Sequence, residues 1–597
     1  MGYPPLMTPS QLAAAAALLC VLVPARTTAA ADAAGIVLDT NVAVKMRDGV
    51  TLRADVYRPT AAGRFPVLLE RTPYNKDGEA SFAVNAAGRG YVVIIQDVRG
   101  RYTSEGEWYP FKHESNDGYD TVEWAAALPY ADGRVGMFGG SYVGATQMLT
   151  AIAHPPHLAG ICPVVTASNY HSNWTYQGGA FEQWFNESWT SGLTHDTFIR
   201  QLRTRTNAVT SGAQLPLTAY QLFNASGDGK TADATATLAP YFLDWLAHPS
   251  EDSYWKQWSI EAHFTDIAVP MLTVAAWYDI FQDGSLRNYI GVKAHGANEA
   301  ARNGQHLIVM VGGHAGNGPR IGDVDFGAAS NFDEDAVVLT WYEYLFKNVQ
   351  NEFAGKRVRL FVMGANQWRD EDDWPLARAK ATKYFLHSTG QANSVRGNGT
   401  LSTAAPAAES PDRYKYDPAN PVPTTGGPLC CDGGHLKPGP WDQRAVEARD
   451  DVLVYSTPPL TADVEVTGPV SLDLYVQSSA ADTDFTAKLV DVSPNGFAQN
   501  LTEGIVRTRY RDSQEKPELL TPGETYKLTI NVWSTSNVFK KGHIIRLEVS
   551  SSNFPRFDRN LNTGQDNATG TQFLTATNVV LHDASHPSAL SLPVVER

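Results

Sequence analysis

The chain is constrained most by one short run, Val135-Gly136-Met137-Phe138-Gly139-Gly140-Ser141-Tyr142-Val143-Gly144-Ala145-Thr146. Residues 135–138 read as the end of an apolar strand, and residues 145–153 read as a helix. A serine flanked by glycines between a strand and a helix marks a sharp turn. Such a turn holds the serine in a strained backbone and presents its hydroxyl near the positive pole of the helix. Ser141 is the candidate nucleophile. In the general form of this turn the second glycine stands two residues after the serine, whereas Gly144 stands three after. A plain tight turn has a similar composition, so the serine needs partners elsewhere in the chain.

The surrounding pattern predicts a fold in which such a turn belongs. Residues 40–45 and 50–57 alternate apolar and polar side chains around Asp48-Gly49 and predict a hairpin. Residues 65–70 and 91–96 are short, almost wholly apolar runs, as strands covered on both faces require. Residues 119–128 predict an amphipathic helix and residues 160–165 a further strand. Strands alternating with helices argue for a mostly parallel α/β sheet.

The alternation stops near Ser168. From 168 to 267, helix-like segments rich in aromatics such as Trp174, Trp184, Trp189, Trp245 and Trp255 predict a helical cap inserted over the sheet. It resumes with strand 270–275, a helix near 285–294, strand 306–311, helix 333–348 and strand 358–362. After Trp374-Pro375, short β-rich runs at 471–476, 525–531 and 544–549 predict an all-β sandwich or jelly roll. The Pro- and Gly-rich stretch 410–440 reads as a long connection draped over a neighbour. The expected units are 32–167 and 268–380 for the α/β part, 168–267 for the cap and 381–597 for the β part.

With 597 residues and 43% hydrophobic content, the chain can bury large cores in several units. Its formal charge of -15 argues against nucleic acid and anionic membranes as partners. An apolar run at 12–23, then Pro24 and Ala29-Ala30-Ala31, predicts a secretory signal over residues 1–31, cut before Asp32, although no Lys or Arg precedes the run. The run is too short to span a bilayer, and Ala17-Leu18-Leu19 before Cys20 is a poor lipobox. The mature protein is expected to be secreted or periplasmic. Cys162 lies in an apolar run; the adjacent Cys430 and Cys431 either form a strained bridge or stay as thiols. No second Cys or His pair stands at ligand spacing, so neither a metal nor an organic cofactor is expected.

An activated serine needs a base, and the base needs an orienting acid. In α/β hydrolases these follow the serine as acid, then histidine, each at the C-terminal end of a strand. After strand 270–275 comes Ala276-Trp277-Tyr278-Asp279, which makes Asp279 the acid. Asp283, a turn later, is better placed to cap the next helix. After strand 307–311 comes Gly312-Gly313-His314, which makes His314 the base, because His306 sits at the wrong end of that strand and His295 ends a helix. The developing oxyanion needs donors. The turn offers the backbone N–H of Tyr142. A second donor should come from the loop Arg71-Thr72-Pro73-Tyr74-Asn75-Lys76, where Tyr74 carries a hydroxyl.

Several further stretches carry a family resemblance. They are M-R-D-G-V-T-L-R-A-D-V-Y-R-P (46–59), R-T-P-Y-N-K (71–76), Q-D-V-R-G-R-Y-T-S-E-G-E-W (96–108), G-Y-D-T-V-E-W (118–124), G-M-F-G-G-S-Y-V-G (136–144), A-A-W-Y-D (275–279) and S-S-S-N-F-P-R-F-D-R-N (550–560). Together they resemble the cocaine esterase and X-Pro dipeptidyl-peptidase family of serine hydrolases, which includes the α-amino acid ester hydrolases. The resemblance implies an α/β hydrolase fold with a helical cap insertion and a C-terminal jelly roll of the galactose-binding-like kind. It also implies Ser141, Asp279 and His314 as the triad, with Tyr74 and the Tyr142 amide as the oxyanion hole. The glycine three residues after the serine is the family's own form. Two stretches depart from the family pattern. V-G-G-H is two residues shorter than the family's G-P-W-x-H type segment, and Ile280-Phe281-Gln282 replaces the acidic pair that binds a substrate ammonium in the α-amino acid ester hydrolases.

The implied substrate is a small-molecule ester, an amide or a short peptide, cleaved through an acyl-enzyme. A second reading, removal of X-Pro dipeptides, requires a carboxylate for the free amine, for which Glu182 or Glu187 is a candidate. A third reading, a carbohydrate- or surface-binding protein, runs against the order Ser141, Asp279, His314. Homo-oligomerisation stays open.

Overall fold

Asp48 and Gly49 turn β1 (Ile36–Lys45) back onto β2 (Thr51–Pro59) as an antiparallel hairpin, the first element of the computed structural model. The structure describes residues 35–204, 235–314, 316–431 and 434–596, so the expected signal at 1–31 lies outside the described residues. Next come β3 (Phe65–Thr72), β4 (Val92–Asp97), β5 (Ala131–Gly140), β6 (Leu158–Val164), β7 (Met271–Tyr278), β8 (Gln305–Gly313), β9 (Val358–Val362) and β10 (Gln367–Glu371). Their spatial order is β1-β2-β4-β3-β5-β6-β7-β8-β9-β10. From β4 through β9 neighbouring strands run parallel, while β1, β2 and β10 pair antiparallel.

Every residue of β4, β7 and β8 is buried, which is why these strands are mostly apolar rather than alternating. Helix α1 (Ala80–Gly88) contributes Phe82 and Ala86 to one core, and α2 (Glu114–Ala126) and α3 (Tyr142–Ile152) contribute Val122, Ala145 and Met148 to another. Helix α2 begins at Glu114, ahead of the expected 119, because its first turn is polar, with Glu114 and Asp117 buried, and carries no apolar period. The chain lays β4 on one side of β3, then crosses to β5 on the other. Such a reversal opens a crevice beyond the carboxyl ends of the two strands.

Between β6 and β7 the described part of the insertion is helical, with α4 (Gln183–Thr204) and α5 (Pro240–Ala247). A two-stranded hairpin, Tyr176–Gln177 with Ala180–Phe181, interrupts it. The aromatics of this region join the core beneath α2 and α3, with Trp174, Trp189, Tyr241 and Trp245 among them.

From Ala379–His387 to Ala589–Val595 the chain forms a second, largely antiparallel, eleven-stranded sheet. This β-rich domain grips the turn after β7. The buried Gln282 donates from Nε2 to Ser534 O (2.9 Å) and accepts from Ser534 N–H (3.0 Å). Tyr278 donates its hydroxyl to Asn500 O (3.1 Å). Replacing Gln282 by Ala strands both main-chain groups of Ser534, and a loss of about 2–4 kcal/mol in unfolding free energy is expected. Urea denaturation of the full-length variant measures it.

Candidate active site

The turn at Ser141 has the strain expected of it. Ser141 sits at φ 61°, ψ -126°, outside the regions an L-residue prefers. Its N–H donates to Val164 O (2.9 Å), which fixes the turn to β6. Two glycines make the turn sterically feasible. Gly139 has φ 115°, and a Cβ there would meet Val143 Cγ1 at 2.4 Å. A Cβ on Gly144 would meet Thr166 Cβ at 2.7 Å. The glycine stands three residues after the serine because that is where α3 crosses the chain leaving β6. Gln147, a turn further on, donates to Gly139 O (2.9 Å) and accepts from Cys162 N–H (2.9 Å).

Asp279 and His314 meet Ser141 at the same sheet edge. His314 Nε2 lies 2.8 Å from Ser141 Oγ, and His314 Nδ1 lies 2.7 Å from Asp279 Oδ2. Asp279 is fully buried, and its other oxygen accepts from Phe281 N–H (2.7 Å). The short V-G-G-H segment reaches the serine because β8 carries an irregularity. Its register against β7 shifts between Met310 and Gly313, which turns the strand end. Of the residues set aside in the sequence, Asp283 bonds Arg287 (2.6 Å) in the first turn of α6 (Gln282–His295). His306 packs against Trp341 and Phe353, and burial pulls its pKa down to about 4.

Tyr74 follows β3 and Ser141 follows β5, so the two stand at the ends of adjacent parallel strands. Tyr74 as a whole residue is 41% exposed. Its hydroxyl end, however, is enclosed, and burial raises its pKa against hydrogen bonds to Trp189 and Ser141. The hydroxyl accepts from Trp189 Nε1 (3.0 Å). An indole N–H can only donate, so the tyrosine's own proton stays available for an acceptor at Ser141. The Tyr142 N–H is at the first position of α3, where no intrahelical acceptor exists. The Tyr142 hydroxyl has a separate task. It accepts from Phe111 N–H (2.8 Å) and donates to Glu114 (3.0 Å).

Several residues that hold this arrangement are invisible to a search for chemistry. Buried Arg71 pairs with buried Glu114 (2.9 Å) and donates to Gln96 (2.9 Å). Arg101 donates to Pro73 O (3.0 Å) and to Leu193 O (3.0 Å), tying the Tyr74 loop to α4. Asp97 accepts from Lys76 N–H (2.9 Å) on the loop's far side. Only the density of charged residues in R-T-P-Y-N-K and Q-D-V-R-G-R-Y signals them. Replacing Glu114 by Ala leaves the Arg71 guanidinium buried without its carboxylate. A loss of about 3–5 kcal/mol is expected, read as a lowered denaturation midpoint.

A strained serine at the switch of a mostly parallel sheet, with a histidine and a buried aspartate at later strand ends, defines a hydrolase of the α/β hydrolase fold. Comparison with known proteins agrees. Residues 48–316 match the family model of the X-Pro dipeptidyl-peptidases (S15 family). Residues 351–591 match that of the X-Pro dipeptidyl-peptidase C-terminal non-catalytic domain. The cocaine esterase of Rhodococcus sp. (strain MB1 Bresler) is 40% identical over 573 residues, spanning 93% of this chain and 98% of that protein. An aminopeptidase from a marine sediment archaeon, Thaumarchaeota archaeon, superimposes with a TM-score of 0.80 at 25% identity, covering 96% of this chain and 99% of its own. An α-amino acid ester hydrolase does so with a TM-score of 0.79 at 24% identity and the same coverage, a likeness of fold. The chain belongs to the cocaine esterase and X-Pro dipeptidyl-peptidase family of serine hydrolases.

Proposed function

We propose that this protein hydrolyses a carboxylic ester or amide through an acyl-enzyme on Ser141. The unbroken hydrogen-bonded path from Ser141 Oγ through His314 to Asp279, at 2.8 and 2.7 Å, carries the reading. Ser141 attacks the carbonyl carbon while His314 Nε2 takes its proton. Asp279, desolvated and aimed by the Phe281 N–H, holds the imidazole by Nδ1 and stabilises its charged form. The carbonyl oxygen becomes an oxyanion between the Tyr74 hydroxyl and the Tyr142 N–H. A phenol is protonated at neutral pH, as a donor must be, and burial pushes the Tyr74 pKa further up. His314 then returns the proton to the leaving oxygen or nitrogen, and water releases the acid by the reverse sequence.

The surroundings favour an apolar acyl group. Trp174 stacks on Phe281 with ring centroids 4.4 Å apart, and Phe281 meets the His314 ring edge-on at 5.1 Å. The alternative, cleavage of X-Pro dipeptides, needs a carboxylate for the free amine. Glu182 is engaged by Arg556 (3.4 Å), even though burial raises its pKa to about 7. Glu187 is also buried, and lines a cavity of about 340 Å³ with Tyr176, Phe242 and Arg507 rather than with Ser141. Esters with uncharged acyl groups are therefore the favoured class, and cocaine, the ester named for the Rhodococcus relative, is one candidate. We assign residues 1–31 to an export signal, which places the mature enzyme outside the cytoplasm. The β-rich domain is read as a jelly roll that braces the Asp279 turn.

Labelling with a fluorophosphonate, followed by peptide mapping, tests the reading. The label is expected on Ser141, with both label and ester turnover abolished by Ser141→Ala in a folded protein; wild-type turnover in that variant overturns the assignment. Replacing Tyr74 by Phe removes one oxyanion donor and is expected to lower kcat about 10²–10³-fold with KM nearly unchanged.

A further inference from the structure

Residues 427–431 and 434–439, which flank two residues outside the described part, leave the β-rich domain and reach the edge of the hydrolase sheet. Their neck is closed by two main-chain hydrogen bonds, Gly427 N–H to Gly439 O (2.8 Å) and Gly439 N–H to Gly427 O (2.9 Å). Asp323 N–H donates to Pro440 O (2.9 Å) and pins the loop to the hydrolase domain. Pro438 packs on Gly313, the residue before His314. The loop carries Cys430 and Cys431, joined to each other in a disulfide. Cys430 is buried in the aromatic core that includes Trp174 and Phe281, whereas Cys431 is exposed and open to a reductant. One imidazole nitrogen of His314 and both sulfurs all lie within 4.8 Å of one another.

We propose that the reduced Cys430–Cys431 pair and His314 form a site for a thiophilic divalent cation such as zinc or cadmium, and that a cation held there stops hydrolysis by occupying the imidazole. The inhibition rests on His314 being the base. A dithiol reductant opens the site by passing two electrons and two protons to the disulfide, leaving two thiols here and a cyclic disulfide on the reductant. On binding the cation, the two thiols release their protons to water, and two thiolates with one neutral imidazole nitrogen become the ligands.

Two soft thiolates with an imidazole suit zinc and its heavier congener. Zinc–sulfur bonds of about 2.3 Å and zinc–nitrogen bonds of about 2.0 Å bring tetrahedral donors to roughly 3.5–4 Å from one another. Once reduced, the two sulfurs are free to part to that spacing, while the imidazole nitrogen, within 4.8 Å of both, needs only a small side-chain shift to join them. Either nitrogen lost to the cation breaks the relay, since Nε2 faces Ser141 and Nδ1 faces Asp279. The oxidised pair offers no thiolate, so the disulfide protects the base. The site escapes a reading of ligand spacing because its histidine and its cysteines belong to different domains.

The test uses the full-length protein, reduced with dithiothreitol, freed of it and titrated with cadmium chloride. Thiolate-to-cadmium absorption and ester hydrolysis are followed together. One equivalent is expected to raise the absorption and lower the rate about tenfold or more, with recovery on adding a chelator. The oxidised enzyme and the double variant C430S/C431S are expected to keep their basal rate and ignore the metal. Ser141→Ala is expected to show the absorption without any turnover, so that an error in the serine assignment does not hide the site. His314→Ala is expected to bind cadmium about tenfold more weakly or worse. The proposal is overturned if reduced and oxidised enzymes lose activity alike, if absorption appears with the rate intact, or if His314→Ala binds as tightly as the parent.

Discussion

The strained backbone at Ser141 is the constraint on which the rest of this structure depends. A non-glycine residue at φ 61°, ψ -126° costs roughly 1–3 kcal/mol and persists only where its surroundings over-determine it. They do so here through the Ser141 N–H to Val164 O bond, the side chain of Gln147 and two glycines that nothing larger could replace without collision. Because β3, β5 and β6 lie side by side, the same strand ends that hold the serine also deliver Tyr74. The position of the hydroxyl and that of its facing donor are thus one problem with one solution, the parallel register of three strands.

The later strand ends meet the serine under a second constraint. Asp279 is desolvated, and a desolvated carboxylate persists only with its oxygens engaged. Phe281 N–H and His314 engage them. The turn that carries Asp279 is in turn clamped by the β-rich domain through Gln282 and Tyr278. A domain whose family model is described as non-catalytic therefore acts on the site mechanically, by fixing the loop that orients the imidazole.

Much of this was legible in the residues. The central strands of the hydrolase sheet are mostly apolar runs while the edge hairpin alternates, and β9 occupies the expected 358–362 to the residue. Asp279 and His314 follow from strand order alone, because chemistry at strand ends leaves a positional signature in sequence. Tyr74 is a loop tyrosine until a resemblance singles it out, since a hydroxyl's direction is not encoded locally. What stays hidden depends on long-range packing: the indole of Trp189 behind Tyr74, the register shift in β8, the polar start of α2 at Glu114, and the small hairpin at 176–181. Cys430 and Cys431 read as a pair without a histidine, because His314 arrives from another domain. The draped connection at 410–440 was visible as composition, but not where it lands.

These hidden contacts also decide what kind of cap this is. Trp189 on α4 donates to the Tyr74 hydroxyl, and Arg101 spans from Pro73 O to Leu193 O on the same helix. Trp174 stacks on Phe281, next to the imidazole. The aromatic core of the insertion is continuous with the one under α3. A cap held by a hydrogen bond, a buried arginine and a stacked ring cannot swing away without breaking the Trp189–Tyr74 hydrogen bond and both carbonyl contacts of Arg101. In its described part, then, the insertion packs as one apolar body with α3 and with the residues beside His314.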